Sequence, residues 1–261
     1  MTMIDGKART FLTDTASFAR CCLCNATPNQ MDVNTVVHRP VNISAFKYGL
    51  SVLHARIRFL ECVLHISYRS EIEKWAVNED LIKARKKVII DRLMKELGVL
   101  VDSVNSSGST NDGNTARRFF ANLDIVHDIT KFDRNLLERL AIILDTRSCG
   151  YGVDTAKFRA YGLETAEAFQ TAYSWYKMPS SLHLIFIHGA DVMEFLELPI
   201  GAYSEEALEA RNKNIRAFRY HYHLFLFVVI FFFFCSEIEP NYLCFIWLKA
   251  VGAKFFFFGI R

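Results

Sequence analysis

The first residues of this sequence that could do chemistry are two cysteines and two histidines. Cys21 and Cys24 have C-x2-C spacing, and far downstream His183 and His188 have H-x4-H spacing. Two thiolates on one turn can occupy two corners of a tetrahedral zinc site, and two imidazoles can fill the other two corners. The alternative is two buried thiols and two unrelated histidines on an apolar segment, with Cys22 as a spare donor. The spacing alone leaves both interpretations open.

A second candidate is the charged helix predicted over residues 204–219. Its spacing places Glu206, Glu209, Lys213 and Arg216 on one face, with apolar side chains on the other. One interpretation is a solvated helix face, because runs of charge usually face water. The other is that a carboxylate on this face binds a metal ion beside basic side chains that hold phosphates.

A third candidate is the loop "TNDGNTARR", whose small residues precede a predicted helix. We expect Asn114 or Thr115 to cap a helix that begins with Arg117 and Arg118. The backbone N–H groups at such a helix start can cradle a phosphate, with the two arginines supplying positive charge. The alternative is a flexible loop that ends in an ordinary N-cap.

The most basic helix is predicted over residues 80–98, where Gly98 is placed to end it. Other helical patterns cover residues 46–69, 133–145, 154–176 and 179–198, while the signal for β-strands is weak throughout. The sequence therefore predicts a mainly helical protein. The basic side chains of the 80–98 helix are Lys83, Arg85, Lys86, Lys87, Arg92 and Lys95.

Composition sets broader limits on the protein. A chain of 261 residues with 51% hydrophobic residues can bury a substantial core. Its net charge of +3 does not by itself indicate nucleic-acid binding, so a basic surface has to come from local clustering. Seven cysteines, an odd number, do not form the pattern of a secreted disulfide framework. We expect an intracellular protein without a secretory signal.

The last part of the chain has a different composition. Residues 220–261 contain eleven of the chain's 23 phenylalanines, including two runs of four. A membrane anchor is one interpretation, but the apolar run Leu224–Cys235 is a dozen residues long, whereas a spanning helix needs about 20. The other interpretation, which we favour, is translated non-coding sequence. We expect this tail to lie outside the fold.

Five segments together resemble one known family. The segments "CCLC", "LHARIRFLECVLHISYR", "DGNTARRFF", "LHLIFIHG" and "LPIGAYSEEALEARNKNIRAFR" are similar to the C-terminal part of Transib-type DNA transposases and of the catalytic subunit of the V(D)J recombinase. The resemblance covers Met3 to Arg219. The last segment is its most specific part, since it follows the family without a gap from Ile200 to Arg219.

This resemblance implies a fold and a division of the chain. Members of the family have an RNase H-like core and an all-helical insertion that is joined by a structural Cys2His2 zinc site. The implied parts are an N-terminal remnant of the core (1–15), a helical zinc-binding region that ends with the last catalytic helix (16–219), and the phenylalanine-rich tail (220–261). The core sheet itself is not among them.

The resemblance also implies roles for individual residues. Glu209 matches the glutamate that holds the catalytic Mg²⁺ or Mn²⁺, and Lys213 and Arg216 follow it in the DNA-binding region. Arg117 and Arg118 match residues that contact DNA. The structural zinc ligands that the resemblance implies are Cys21, Cys24, His183 and His188.

The family's activity leads to expectations about function. Its members cut and join DNA with two aspartates and one glutamate, and both aspartates lie upstream of the C-x2-C motif, outside this chain. We therefore expect a nuclear transposase segment that binds DNA, is inactive alone, and pairs with a second copy or a full-length relative, without a membrane partner. The alternatives are a domesticated remnant that binds DNA or protein without cleaving, and a membrane-attached helical protein.

Overall fold

A computed structural model describes residues 6–36, 38–48, 51–105 and 108–203 of this chain. All of these residues belong to one compact unit, Met1–Glu206. Within them the fold is mainly helical, as the sequence predicts, and the only β structure is one antiparallel pair of two-residue strands. The structure thus confirms the helical class of the fold.

The described residues contain nine α-helices, three short 3-10 helices and two strands. The α-helices are α1 (Gly6–Leu12), α2 (Val33–Val36), α3 (Val52–Arg69), α4 (Glu79–Leu97), α5 (Gly113–Phe120), α6 (Leu123–Thr130), α7 (Arg134–Ser148), α8 (Thr155–Ala172) and α9 (Ser180–Phe195). The 3-10 helices are Pro28–Gln30, Ile43–Tyr48 and Ile200–Tyr203, and the strands are β1 (Val104–Asn105) and β2 (Gly108–Ser109).

Helix α3 lies at the centre of the fold and packs against α4, α5, α6, α7 and α9. It begins later than the pattern over residues 46–69 predicts, because Ser51 caps it by accepting a hydrogen bond from the N–H of His54. The spacing of three and four residues between Leu50, Leu53, Ile57, Leu60 and Leu64 predicts an apolar stripe, of which Leu60 and Leu64 are fully buried. Phe59 and Val63, which are not part of this stripe, are fully buried as well, so the core lies on more than one side of α3.

Helix α4 has the boundaries that its sequence predicts. Asn78 caps its first turn, and Gly98 ends it with a positive φ of 62°. A glycine adopts this left-handed conformation without the steric cost that a Cβ atom would bring. The basic helix therefore extends over residues 79–97, within one residue of the prediction at each end.

The start of α5 differs from the prediction. The helix begins at Gly113, four residues before Arg117, and its N-cap is Asp112 rather than Asn114 or Thr115. The Asp112 carboxylate accepts a hydrogen bond of 2.7 Å from the N–H of Thr115. A carboxylate therefore already interacts with the N–H groups that were predicted to cradle a phosphate, and its negative charge disfavours an anion there.

Helices α8 and α9 form an antiparallel hairpin, the most extensive helix pair of the fold. Two glycines allow their close approach. A Cβ atom on Gly162 would lie 2.5 Å from the carbonyl oxygen of Phe186, and one on Gly189 would lie 2.9 Å from the ring of Phe158. Because each glycine faces the opposite helix, the two helices lie closer together than a Cβ atom at either position would allow.

Several predictions concern residues outside the described ranges. These are the charged helix over residues 204–219, with Glu209, Lys213 and Arg216, and the tail over residues 220–261. The division of the chain at residues 15 and 219 and the relation to an RNase H-like core stay predictions as well.

Candidate metal centre

The structure brings the predicted cysteines and histidines together in one cluster. One ligand atom from each of Cys21, Cys24, His183 and His188 lies within 4.8 Å of the other three. All four side chains are buried, with exposed fractions between 0% and 4%. Cys22, the spare donor, is half-buried and does not belong to this cluster. The four side chains therefore lie together in one buried cluster that could hold a metal ion.

The cysteines lie on a tight turn in which a backbone N–H group donates a hydrogen bond to sulfur. The N–H of Leu23 donates a hydrogen bond of 3.4 Å to Cys21 Sγ. The turn is closed by hydrogen bonds from the N–H of Asn25 to the carbonyl of Cys21 and from the N–H of Cys21 to the carbonyl of Ala26, each 2.9 Å long. Asn25 has a φ of 56°, a conformation that asparagine tolerates better than most residues. The two thiols are therefore held on one side of the turn.

The histidines lie on α9, five residues apart. Side chains with that separation point about 140° apart around a helix, so helical geometry alone does not make them neighbours. Their rings nevertheless lie 5.3 Å apart between centroids. His183 Nε2 lies 3.3 Å from Cys24 Sγ, across 159 residues of sequence. The C-x2-C turn therefore lies over the part of α9 where the two rings meet.

A carboxylate that belongs to neither sequence motif lies beside one of the histidines. Asp191 lies one turn beyond His188 on α9, and its Oδ2 is 3.6 Å from His188 Nδ1. Arg159 on α8 holds Asp191 in place through a contact of 2.5 Å and also contacts Glu194 at 3.0 Å. Carboxylates in this position set the tautomer of a metal-binding histidine. Its i,i+3 spacing after His188 was the sequence signal that could have identified it.

The other nitrogen of His188 is left for a ligand. His188 Nε2 is buried, and no group among the described residues meets hydrogen-bond geometry with it, although Cys24 lies near enough to affect the pKa of His188. A buried ring nitrogen without a partner is costly, since its desolvation is not repaid. A metal ion bound at this atom would repay that cost.

The electrostatics of the cluster favour a thiolate. A hydrogen bond from Cys21, together with His183 and His188, lowers the pKa of Cys24 to about 2 despite burial. The same hydrogen bond raises the pKa of Cys21, and burial adds to that effect. Burial lowers the pKa of His183, which keeps its ring neutral and able to donate a lone pair. For His188 burial also acts downward, but its interactions with Asp191 and Cys24 outweigh it and raise the pKa.

The donor set identifies the class of metal. Two thiolates and two imidazoles suit a soft or borderline ion such as zinc, whereas Mg²⁺ and Ca²⁺ require oxygen ligands. In a tetrahedral zinc site, bonds of about 2.0 to 2.3 Å place neighbouring ligand atoms about 3.3 to 3.8 Å apart. The cluster, whose ligand atoms lie within 4.8 Å, needs only a small contraction to reach that geometry. It can therefore bind a metal such as zinc.

Comparisons with known proteins add no further assignment. No protein-family model matches this chain, and no curated protein matches it significantly. None of the helices in the described ranges has both the length and the apolar composition needed to cross a bilayer. What can be said of function therefore depends on the residues and their geometry.

The predicted DNA-contacting arginines lie away from the cluster's own elements, on α5. Arg117 is half-buried and donates a hydrogen bond of 3.0 Å to the side chain of Asn114. Arg118 is exposed and donates one of 3.2 Å to the carbonyl of Gly98, the residue that ends α4. The last turn of α5 therefore contacts the C-terminal end of α4.

Half of the basic side chains on α4 are already paired with carboxylates. Arg85 contacts Glu71, Lys86 contacts Asp102, and Arg92 contacts both Glu96 and Asp128. The other three cations are exposed and form no ion pair within the described part of the chain. They are Lys83, Lys87 and Lys95.

Proposed function

We propose that this protein is a zinc-stabilised helical segment of a cut-and-paste DNA transposase. The observation that carries the proposal is the cluster that joins the C-x2-C turn to α9, across 159 residues, with the ligand set that the family resemblance implies. A closed site with four protein ligands and a buried position is typical of structural rather than catalytic zinc. In this proposal the metal ties the N-terminal turn to the helical body, and the protein acts in the nucleus.

DNA binding is the activity that we assign to the described part of the chain. Arg118 lies at the end of α4, where Lys95 is exposed, and Lys83 and Lys87 continue the positive charge along that helix. Exposed cations without ion pairs can neutralise phosphates, which releases counterions and makes binding sensitive to salt. Because phosphate contacts carry no base information, this binding should tolerate changes in DNA sequence.

The catalytic part of the proposal concerns Glu209. It would supply one of the three carboxylates that hold Mg²⁺ or Mn²⁺ in the family, with Lys213 and Arg216 near the DNA phosphates. One carboxylate is a poor site for Mg²⁺, which needs near-octahedral oxygen ligands. Strand cleavage would therefore require the two aspartates of the family, and the chain by itself should not nick DNA. A full-length relative is the partner that could supply these aspartates, and a second copy of this chain is the other partner that we propose.

The DNA-binding proposal is tested by measuring the affinity for duplex DNA over a series of salt concentrations. Replacing Arg117 and Arg118 together by alanine should weaken binding and reduce the steepness of its salt dependence by about one to two counterions. A matched control is Lys74→Ala with Lys157→Ala, which removes the same charge elsewhere on the surface. Binding that does not change with salt, or that falls equally in both double variants, would contradict the proposal.

The catalytic assignment separates a transposase segment from a remnant that only binds DNA. Residues 3–219 joined to the aspartate-bearing half of a related transposase should restore Mg²⁺-dependent nicking of DNA. Glu209→Gln should abolish that nicking, and the matched control Glu206→Gln should reduce it less. Equal activity of the two variants would show that Glu209 does not hold the metal.

A further inference from the structure

A cleft of about 400 Å³ lies directly beside the candidate metal centre. Its walls are the cysteine turn, with Cys21 and Cys22, the first turn of α3, and the first turn of α9. A volume of this size is sufficient for one nucleotide or a similar small group. Because the cysteine turn and α9 are the two elements that the metal would join, the width of the cleft depends on the same cluster.

The lining of this cleft is strongly basic. Four arginines reach it from four different parts of the chain, and His54 adds a fifth nitrogen-bearing side chain. Among the described residues that line the cleft there is no aspartate or glutamate. Guanidinium groups stay charged at any physiological pH, so the cleft has a positive potential. The four residues are Arg9, Arg20, Arg58 and Arg147.

The arginines differ in their burial and in the contacts that they already make with other side chains. Arg58 is exposed and contacts Glu61 at 2.7 Å, one turn further along α3. Arg20 is half-buried, and within the described part of the chain its side chain makes a single long contact, of 3.5 Å, with the side chain of Asn25. Arg147 also lines the cleft and is wholly buried, with an exposed fraction of 0%. Arg20 and Arg58 are therefore the side chains that can turn toward an incoming anion.

Two helix starts reinforce the positive charge. Helix α3 begins at the cleft with Ser51, and α9 begins there with Ser180 and Ser181. The N-cap position of α9 is Pro179, which gives the first turn no side-chain hydrogen bond. The N–H groups of that turn are suited to bind an anion, since the positive end of the helix dipole lies at the residues that line the cleft.

The rim of the cleft carries an aromatic ring. Phe18 lines the cleft and is 60% exposed, although a large apolar side chain gains by burial. Its backbone is held in place, because Ser180 Oγ donates a hydrogen bond of 2.8 Å to the carbonyl of Phe18. An exposed ring beside a positive groove is the combination that binds a nucleobase and its phosphate together. This favours a nucleotide over a simple inorganic anion.

We propose that this cleft binds one nucleotide of a single DNA strand, with the phosphodiester on Arg20 and Arg58 and the base on Phe18. The choice of DNA as the ligand rests on the proposed function, whereas the site itself is separate from Arg117, Arg118 and α4. A single strand is required because only an unpaired base can leave its stack and lie against the ring. The cleft would then hold a strand end or an opened duplex beside the zinc-binding turn.

The test measures binding of a short, fluorescently labelled single-stranded oligonucleotide to the full chain at low salt. Replacing Arg20 and Arg58 together by glutamine should weaken binding about tenfold or more, as expected for the loss of charged hydrogen bonds. The matched control Lys74→Gln with Lys157→Gln removes two exposed cations that do not line the cleft and should change binding by less than about twofold.

Two further variants complete the test. The first shows whether weaker binding results from the cleft or from a folding defect, and the second distinguishes the contact with the base from the contact with the phosphate. Ser181→Asp puts a carboxylate at the start of α9, which suits the helix but repels an anion, so binding should fall while the melting temperature is kept. Phe18→Ala should weaken binding of the oligonucleotide but not binding of inorganic pyrophosphate, which is measured by competition. Equal loss of both ligands would overturn the assignment of the base to Phe18.

The outcomes distinguish this inference from the proposed function. Oligonucleotide binding that is unchanged in the Arg20 and Arg58 double variant overturns the cleft as a site and leaves binding of duplex DNA through Arg117 and Arg118 untouched. An oligonucleotide that does not bind the wild-type chain also overturns the inference. Conversely, duplex binding that is insensitive to salt contradicts the proposed function, while a tenfold effect at the cleft would still support this site.

Discussion

Removing one ligand from the metal centre provides the most direct test of the structure, and Cys24→Ser is the most suitable change. Serine has nearly the shape of cysteine, so the substitution removes the thiolate without opening a large cavity. Cys24 also contacts His183, so the loss would break the connection between the cysteine turn and α9. We expect the variant to lose bound zinc and much of its stability.

The size of the effect follows from the length of chain that the metal would close. Cys24 and His183 are 159 residues apart, and a cross-link over a loop of that length stabilises a fold by about 5 kcal/mol through the entropy of the unfolded chain. For a unit of about 200 residues, 1 kcal/mol shifts the melting temperature by about 2 to 4 °C. The variant should therefore melt about 10 to 20 °C below the wild type.

The assay combines metal content with thermal unfolding of the full chain. Wild-type protein should carry one zinc per chain by elemental analysis, and a strong chelator should lower its melting temperature as the substitution does. Cys22→Ser is the matched control, since Cys22 is adjacent in sequence but outside the cluster. Zinc-free wild type that melts at the same temperature, or equal losses in Cys22→Ser and Cys24→Ser, would refute the assignment.

Two further predictions concern α9 and its surroundings. Asp191→Asn should lower the affinity for zinc about 10- to 100-fold, because His188 would lose the carboxylate beside its ring. The matched control is Glu194→Gln, since Glu194 contacts the same arginine but not the histidine. In a zinc competition titration, this control should leave the affinity unchanged. Gly162→Ala should destabilise the protein by about 1 to 3 kcal/mol in chemical unfolding, because its Cβ would overlap a carbonyl oxygen of α9. Gly150→Ala, where a Cβ would have no atom of the described structure within 4 Å, should be close to neutral; equal effects would contradict the close packing of α8 and α9.

The sequence predicts most of the helices because their periodicity and their ends are local properties. The apolar stripe on α3 and the glycine that ends α4 are examples, since each needs information only from residues within one or two turns. The start of α5 was predicted wrongly for a related reason. Aspartate, asparagine and threonine all cap helices well, so local preference does not choose among Asp112, Asn114 and Thr115. Packing makes the choice, because a start at Gly113 lets Ala116 and Phe119 become fully buried.

The candidate site also has one part that the local sequence predicts and another part that depends on how the helices pack. Residue type and spacing identified the two ligand pairs, because thiols two residues apart on a turn are close whatever the rest of the chain does. That the pairs meet was not determined by either motif: the histidines point in different directions from an ideal helix, and 159 residues separate them from the cysteines. The α8 and α9 hairpin decides their meeting, and with it the role of Asp191.

What the sequence by itself determined is therefore the helical class of the protein, the boundaries of α4 and the two motifs that supply the candidate metal ligands. Only the tertiary structure decided that Arg20 and Arg58 face a common cleft and that Arg159 holds Asp191 against His188. The physical reason is that periodicity and capping act within a few turns of chain. A site, in contrast, is made by side chains from distant segments, whose positions depend on how the helices pack against one another.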